Sequence, residues 1–141
     1  MVLNSCALIS GDARGSLLVS QEPLSFWGGY DSDTGEVVDR RHPLSGEKAS
    51  GRILAIPGTR GSSTTTAVLL ESVRRGTAPS AILTSDVDTF LALAFIVAEE
   101  MYGKSPPLLV LRKEDFVRLV SGHYAIIKSD GTVIIEDDGS V

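Results

Sequence analysis

Short apolar runs broken by glycine and proline make up both ends of this chain, and helical spacing of apolar residues is confined to its middle. Near the start, 6–9 and 16–19 are typical of two strands joined by a turn. At the other end, 124–128 and 132–136 alternate around Ser129-Asp130-Gly131, a hairpin signal. Strands at both ends with strand–helix alternation between them predict a mixed α/β fold, with a small mixed sheet or barrel-like core and helices packed against it.

Three strands are predicted in the middle of the chain, a buried strand at 52–56, a short strand at 81–83 and a third at 108–111. A helix over 65–75 follows the first, with Ala67, Leu70 and Val73 at helical spacing, Leu69 broadening the apolar face, and Gly76 as its C-cap residue.

A second helix is predicted over 89–101, with Asp88 as its N-cap. It is apolar on most sides, which favours a central position in the fold. A shorter helix is predicted over 113–120. The stretch 22–50 is rich in glycine and proline, so we expect an irregular loop, with a small strand at Val37-Val38, that is functional or ordered by a partner.

Composition limits the function. A chain of 141 residues favours one domain over 1–141, with a core over 5–136 and an acidic tail over 137–141. A net charge of −5 argues against nucleic acid or anionic membranes as partners. No targeting or spanning segment is visible, so we expect a soluble, cytoplasmic protein.

The single cysteine, Cys6, cannot form an internal disulfide or supply the several thiolates of an iron–sulfur cluster or a structural zinc site. We expect it to be a small buried apolar residue, and we expect no metal site in this chain.

The segment 57–66 carries the strongest chemical signal. It lies between a predicted strand and a predicted helix, and it combines two glycines, Arg60 and five consecutive hydroxyl residues at 62–66. Helix N-termini stabilise anions such as a phosphate, a carboxylate or a serine alkoxide. Ordinary helix capping explains the same pattern about as well. A P-loop does not fit, because no lysine follows Gly61 at the required place.

A second candidate is the segment 23–31, where Ser25, Phe26 and Trp27 precede Gly28 and Gly29. This segment suits the wall of a binding site or an interface. The slightly favoured interpretation is that Phe26 and Trp27 cover the core. His42 is the third candidate, and a lone loop histidine is more often structural. A Ser-His-Asp hydrolase using Ser62 and His42 lacks the usual Gly-x-Ser-x-Gly elbow.

Taken in order, these segments closely resemble the small, swivelling domain of the aconitase X family. The resemblance covers about residues 5–136 and is most specific in the segments 25–29 and 60–63. It is carried by 23–29, Asp31, 34–35, 42–44, Gly46, 51–57, 60–63, 68–71, 78–82 and 98–100.

The resemblance implies a β/β/α swivel domain that acts as the small subunit of a hydro-lyase and is inactive without its large subunit. In that family the large part carries the iron–sulfur cluster, and the small part contributes a serine that removes a proton next to a carboxylate. Ser62 occupies that position, with Arg60, Gly61, Ser63 and Thr64 as substrate-binding residues. Thr64 replaces the arginine of classical aconitases, so Arg60 is a candidate for the carboxylate contact. The remaining candidates, at an interface or cleft, are Ser25, Phe26, Trp27, Gly28, Gly29 and His42.

Two substrates are known in the family, cis-3-hydroxy-L-proline and mevalonate 5-phosphate. The segments 60–63, 68–71 and 98–100 look closer to the hydroxyproline type, since the archaeal small subunits have Gly-Lys-Gly-Ser-Thr at the turn. An isomerase or epimerase relative, a non-catalytic metabolite-binding module and a stand-alone hydrolase are the alternatives.

Overall fold

The strands form one mixed sheet in the computed structural model, which describes residues 1–60 and 64–136. Within those ranges the sheet has eight strands in the order β1-β8-β7-β3-β4-β5-β6-β2. In chain order the elements are β1 (Val2–Asn4), β2 (Cys6–Ile9), β3 (Ala13–Val19), β4 (Ile53–Ala55), α1 (Thr64–Arg75), β5 (Ala81–Thr84), α2 (Thr89–Tyr102), β6 (Leu108–Val110), α3 (Lys113–Phe116), β7 (Tyr124–Ile127) and β8 (Thr132–Glu136).

The sheet has a parallel half and an antiparallel half that share β3. β3, β4, β5 and β6 are parallel neighbours, while β7 pairs with β3 and β8 in antiparallel fashion. β1 pairs with β8 and β2 pairs with β6, although only Ser5 separates β1 from β2. The first nine residues therefore supply both outermost strands of the sheet. Because these two strands are joined through Ser5, the sheet takes a barrel-like form.

Strands β4 and β5 are buried on both faces, and their side chains alternate between two apolar clusters. Ile53 and Ala55 pack inside the curled sheet, while Leu54 and Ile56 face the helices. Burial on both faces is typical of parallel strands covered by helices. The predicted mixed α/β fold with a barrel-like core and packed helices is confirmed.

Both longer helices end or begin with the predicted caps. Gly76 has a φ of +78°, and the N–H of Thr77 donates to the carbonyl of Ser72 at 2.9 Å, as in a Schellman motif. At the start of α2, the Asp88 side chain accepts hydrogen bonds from the N–H groups of Phe90 and Leu91.

The faces of the helices differ from prediction. In α1 the buried residues are Thr65, Leu69, Ser72 and Val73, whereas Ala67 is exposed. The central position predicted for α2 is wrong: only one side packs on the sheet and α1, and Leu93, Ile96 and Met101 are about half exposed or more. Apolar composition indicated burial, but the sheet offers α2 a single face.

Other boundaries were mispredicted because strand pairing is long-range. The strands 6–9 and 16–19 do not pair with each other, β1 was not predicted, and α3 ends at Phe116 rather than at 120. Val37 forms an isolated bridge with Tyr30. The tail 137–141 lies outside the described residues. In the described part of the chain, no helix has the length and apolar character needed to cross a membrane.

Candidate functional site

The carboxyl ends of the parallel strands meet at one edge of the sheet, and both long helices begin there. The hydrogen bonds between neighbouring strands continue past the strand ends. The N–H of Ser20 donates to the carbonyl of Ala55, and the N–H of Ile56 donates to the carbonyl of Leu83. Crevices at this edge are the usual ligand sites of open parallel sheets. The segment 57–60 leaves β4 at this edge and leads toward α1.

Leu24 holds the segment 57–60 from one side. Its N–H donates to the carbonyl of Gly58 at 3.3 Å, and its carbonyl accepts from the N–H of Arg60 at 3.1 Å. Leu24 and Thr59 form a parallel bridge, and Leu24 is fully buried. The two segments with the strongest sequence signals therefore lie side by side.

Asp88 holds the same segment from the other side. Its Oδ2 atom accepts from the Thr59 N–H at 2.7 Å and from the Thr59 hydroxyl at 2.6 Å. Its Oδ1 atom accepts from the N–H groups of Phe90 and Leu91. The sequence indicated the helix cap, but a contact with a residue 29 positions earlier had no local signal.

Arg60 is exposed at the end of this segment and forms no ion pair with the residues that the structure describes. The first turn of α1 contains no acidic residue, and Arg74 and Arg75 stand in its last turn. An uncompensated cation next to the positive end of a helix dipole favours an anion here.

Thr66 adds a polar atom near the start of α1. Its hydroxyl oxygen is buried and has no hydrogen-bond partner among the described residues. The residues Gly61, Ser62 and Ser63 lie outside the described ranges, whereas Thr64 is the first residue of α1. The roles predicted for these four residues stay predictions.

The aromatic pair at 26–27 divides between core and surface. Phe26 is fully buried and packs on Tyr30 with ring centroids 5.1 Å apart, while Trp27 is 68% exposed. Ser25 donates its hydroxyl to the Trp27 carbonyl at 3.1 Å, which closes this turn. Covering of the core thus applies to Phe26, and Trp27 presents its ring to solvent.

Gly29 is required by close packing within the same turn. A Cβ atom at this position would lie 2.1 Å from the Ser25 carbonyl oxygen. Gly28 meets a different requirement, since its φ of +75° lies in the left-handed region and a Cβ would contact nothing within 4 Å. The two glycines therefore shape the turn that precedes Tyr30.

His42 is buried, and both of its ring nitrogens face backbone groups. Nδ1 accepts from the Leu44 N–H at 3.1 Å, so Nε2 carries the proton and lies 3.1 Å from the Pro23 carbonyl. The histidine fixes the loop that contains Pro23 and Leu24. With both nitrogens engaged, it does not fit the base of the stand-alone hydrolase.

Metal ligands do not assemble in the described part of the chain. Within residues 1–60 and 64–136, no group of three His, Cys, Asp or Glu side chains is placed to hold a metal ion. The expectation that Cys6 is buried is wrong, because it is exposed in β2, which pairs on one side only. A single exposed thiol does not fit the donor set of an iron–sulfur cluster.

Comparisons with known proteins agree with this geometry. A cis-3-hydroxy-L-proline dehydratase of Pseudomonas aeruginosa is 48% identical over 131 residues, 93% of this chain and 22% of that protein. A phosphomevalonate dehydratase small subunit of Methanopyrus kandleri is 46% identical over 109 residues, 75% of this chain and 81% of that subunit. The chain thus spans about a fifth of the hydroxyproline relative and most of the small subunit.

A solved structure and the sequence pattern of a protein family also match this chain. The crystal structure of Thermococcus kodakaraensis aconitase X in its holo-form superposes with a TM-score of 0.85 at 29% identity, covering 96% of this chain and 98% of the matched chain. The sequence pattern of the aconitase X swivel domain matches residues 2–135. The chain belongs to the aconitase X swivel domain family.

Proposed function

We propose that this chain is the small subunit of an aconitase X-type dehydratase and contributes one side of an active site that a large subunit completes. The observation that carries the proposal is the family match over 2–135, which includes the strand–turn–helix segment with Ser62. Named relatives of this family are dehydratases and small subunits of dehydratases.

Ser62 is the proposed base that removes a proton next to a substrate carboxylate. A serine hydroxyl is a very weak acid, so its alkoxide needs strong electrostatic stabilisation. Support comes from the absence of acidic side chains in the first turn of α1, which begins two residues after Ser62 in the sequence. The positive end of the helix dipole favours a negative charge at this position.

Arg60 is the proposed partner of the substrate carboxylate, and Gly61, Ser63 and Thr64 are the other proposed substrate-binding residues. Its side chain is exposed and makes no ion pair with described residues, so it does not have to break an internal contact to bind an anion. An arginine pairs with a carboxylate through two parallel hydrogen bonds, which orients the acid as well as holding it.

The large subunit is the proposed holder of the iron–sulfur cluster. The described residues of this chain do not fit that group, because the one cysteine is isolated and exposed. The small chain would then bind and orient the acid and take the proton. The exposed Trp27 and the start of α2 are the proposed contacts with the large subunit.

The proposed substrate is cis-3-hydroxy-L-proline, on the strength of the 48% identity to the Pseudomonas aeruginosa dehydratase over 93% of this chain. Mevalonate 5-phosphate is the second candidate, since the small subunit of the Methanopyrus kandleri phosphomevalonate dehydratase is matched over 81% of its length.

The test is co-expression of this chain with the large subunit that complements it, followed by assays on both substrates. We expect dehydration of hydroxyproline by the wild-type complex and a loss of at least about 10³-fold in kcat for Ser62→Ala, with the complex still assembled. Ser45→Ala, which removes an exposed loop hydroxyl, is the matched control. Retained turnover of Ser62→Ala would exclude the serine base, and turnover of the phosphorylated acid alone would select the second substrate.

A further inference from the structure

The carboxylate of Asp88 forms more bonds than a helix cap requires. One oxygen, Oδ1, accepts from the N–H groups of Phe90 and Leu91 at 3.0 and 3.1 Å and by itself completes the cap of α2. The other oxygen, Oδ2, is free for a second task and accepts two hydrogen bonds from Thr59.

These two hydrogen bonds are shorter than the two that join Leu24 to Gly58 and Arg60, at 3.3 and 3.1 Å. The distances of 2.7 Å to the Thr59 N–H and 2.6 Å to its hydroxyl are those of hydrogen bonds to an ionised carboxylate. Gly58 permits this approach, since a Cβ atom there would lie 3.3 Å from Asp88 Oδ2.

Thr59 is thereby fixed from two sides. Leu24 bonds to the residues before and after it, Gly58 and Arg60, while Asp88 bonds to Thr59 itself. Leu24 lies on an irregular loop, whereas Asp88 is the N-cap residue of α2, a helix packed on α1 and the sheet. The rigid reference for the segment is therefore the N-terminus of α2.

We propose that Asp88 is a positioning residue of the candidate site, which ties Thr59, and with it the backbone of Arg60, to the N-terminus of α2. The proposal rests on the proposed function of the site. It adds that Asp88 determines the position of Arg60 relative to α1 and α2. A displacement of about 1 Å in such a segment costs on the order of 10²-fold in rate.

Two variants separate positioning from capping. Asp88→Ser keeps one oxygen for the cap of α2 and loses the oxygen that reaches Thr59. Thr59→Ser keeps both the N–H and the hydroxyl and is the conservative variant. Ile135→Val, in the far part of the sheet, is the control for a general loss of stability.

The first measurement is amide hydrogen exchange on the full chain. We expect the Thr59 amide of Asp88→Ser to exchange at least about tenfold faster than in wild type, while the Leu91 amide keeps its rate within about threefold. Equal acceleration of the two amides would overturn the proposal, because Asp88 would then act only through the stability of α2.

The second measurement is kcat/KM of the assembled complex. We expect a decrease of about 10- to 100-fold for Asp88→Ser, a much smaller decrease for Thr59→Ser, and no decrease for Ile135→Val. An Asp88→Ser complex with wild-type kcat/KM would overturn the proposal. A wild-type complex without dehydratase activity would overturn the proposed function instead, and the exchange rates would then decide alone whether Asp88 fixes Thr59.

Discussion

Gly28 and Gly29 are needed in the turn before Tyr30 for different physical reasons. Substitution of each by alanine distinguishes the two reasons. Gly29→Ala places a Cβ 2.1 Å from the Ser25 carbonyl oxygen, so the backbone of the turn must shift. We expect it to lower the free energy of unfolding by about 3 kcal/mol, as for overpacking of a rigid site. Urea denaturation of the isolated chain measures this.

Gly28→Ala is the matched comparison in the same turn. Its Cβ meets nothing within 4 Å, and only the φ of +75° opposes it. We expect a loss of about 1 kcal/mol from the left-handed backbone. Equal losses for the two variants would show that the turn relaxes around the methyl group that Gly29→Ala adds.

Tyr30 joins the same loop to the end of α1. Its hydroxyl donates to the Thr77 carbonyl at 2.7 Å. Burial raises the pKa of the phenol, so the hydroxyl stays protonated in the folded protein. Tyr30→Phe keeps the ring contact with Phe26 and removes the donor. We expect a loss of about 1 kcal/mol in the free energy of unfolding, measured by urea denaturation. An unchanged midpoint would mean that water replaces the donor.

At the scale of an element, α1 is bound to the loop 31–34 by charged side chains. Glu71 accepts from Arg74 and Arg75, and Arg75 also pairs with Asp33. Hydrogen bonds from the two arginines lower the pKa of Glu71 to about 2. Ionised Glu71 therefore stabilises the fold above the pKa of about 4.3 that it has when unfolded, and this contribution is lost as the pH falls toward 2.

The difference in stability between wild type and Glu71→Gln is the measurable consequence. We expect wild type to have the higher urea midpoint at pH 7, and the difference to shrink between about pH 5 and pH 2. Because the group is exposed, 1 M salt also reduces the difference by screening. A difference that is independent of both pH and salt would mean that the glutamate acts by packing.

Local signals predicted most of the elements, and long-range pairing accounts for what they missed. Asp88 and Gly76 marked the helix ends correctly, because a cap depends on a few neighbouring residues. The partners of β1 and β2 could not be predicted, since they lie about a hundred residues or more away. The exposed side of α2 was missed because apolar composition does not say how many faces a helix buries.

The candidate site was predicted in the same uneven way. The segment 57–66 was singled out from its residue types, and the structure places 57–60 beside Leu24 and Asp88. The burial of His42 and the exposure of Trp27 depend on how loops fold back on the sheet, and the exposure of Cys6 depends on the position of β2 in the strand order. Residue type alone carries no information on that.

At the scale of the whole molecule, one cysteine and no assembled metal ligands in residues 1–60 and 64–136 lead to a prediction for the isolated chain. We expect it to fold, to show no visible absorbance from an iron–sulfur cluster, and to have no dehydratase activity until the large subunit is added. Purification in the presence of iron and sulfide, followed by absorption and activity measurements, checks this. Activity of the chain alone would contradict the division of labour proposed above.

The pairing of β1 with β8 and of β2 with β6 has a consequence for the rate of folding. Val2 pairs with Ile134, and Cys6 pairs with Val110. Strands that lie about a hundred residues or more apart in the sequence must therefore meet before the sheet closes. The helices and the parallel strands of the middle can form earlier, whereas we expect the closing of the sheet to be the slow step, because contacts of high sequence separation form slowly.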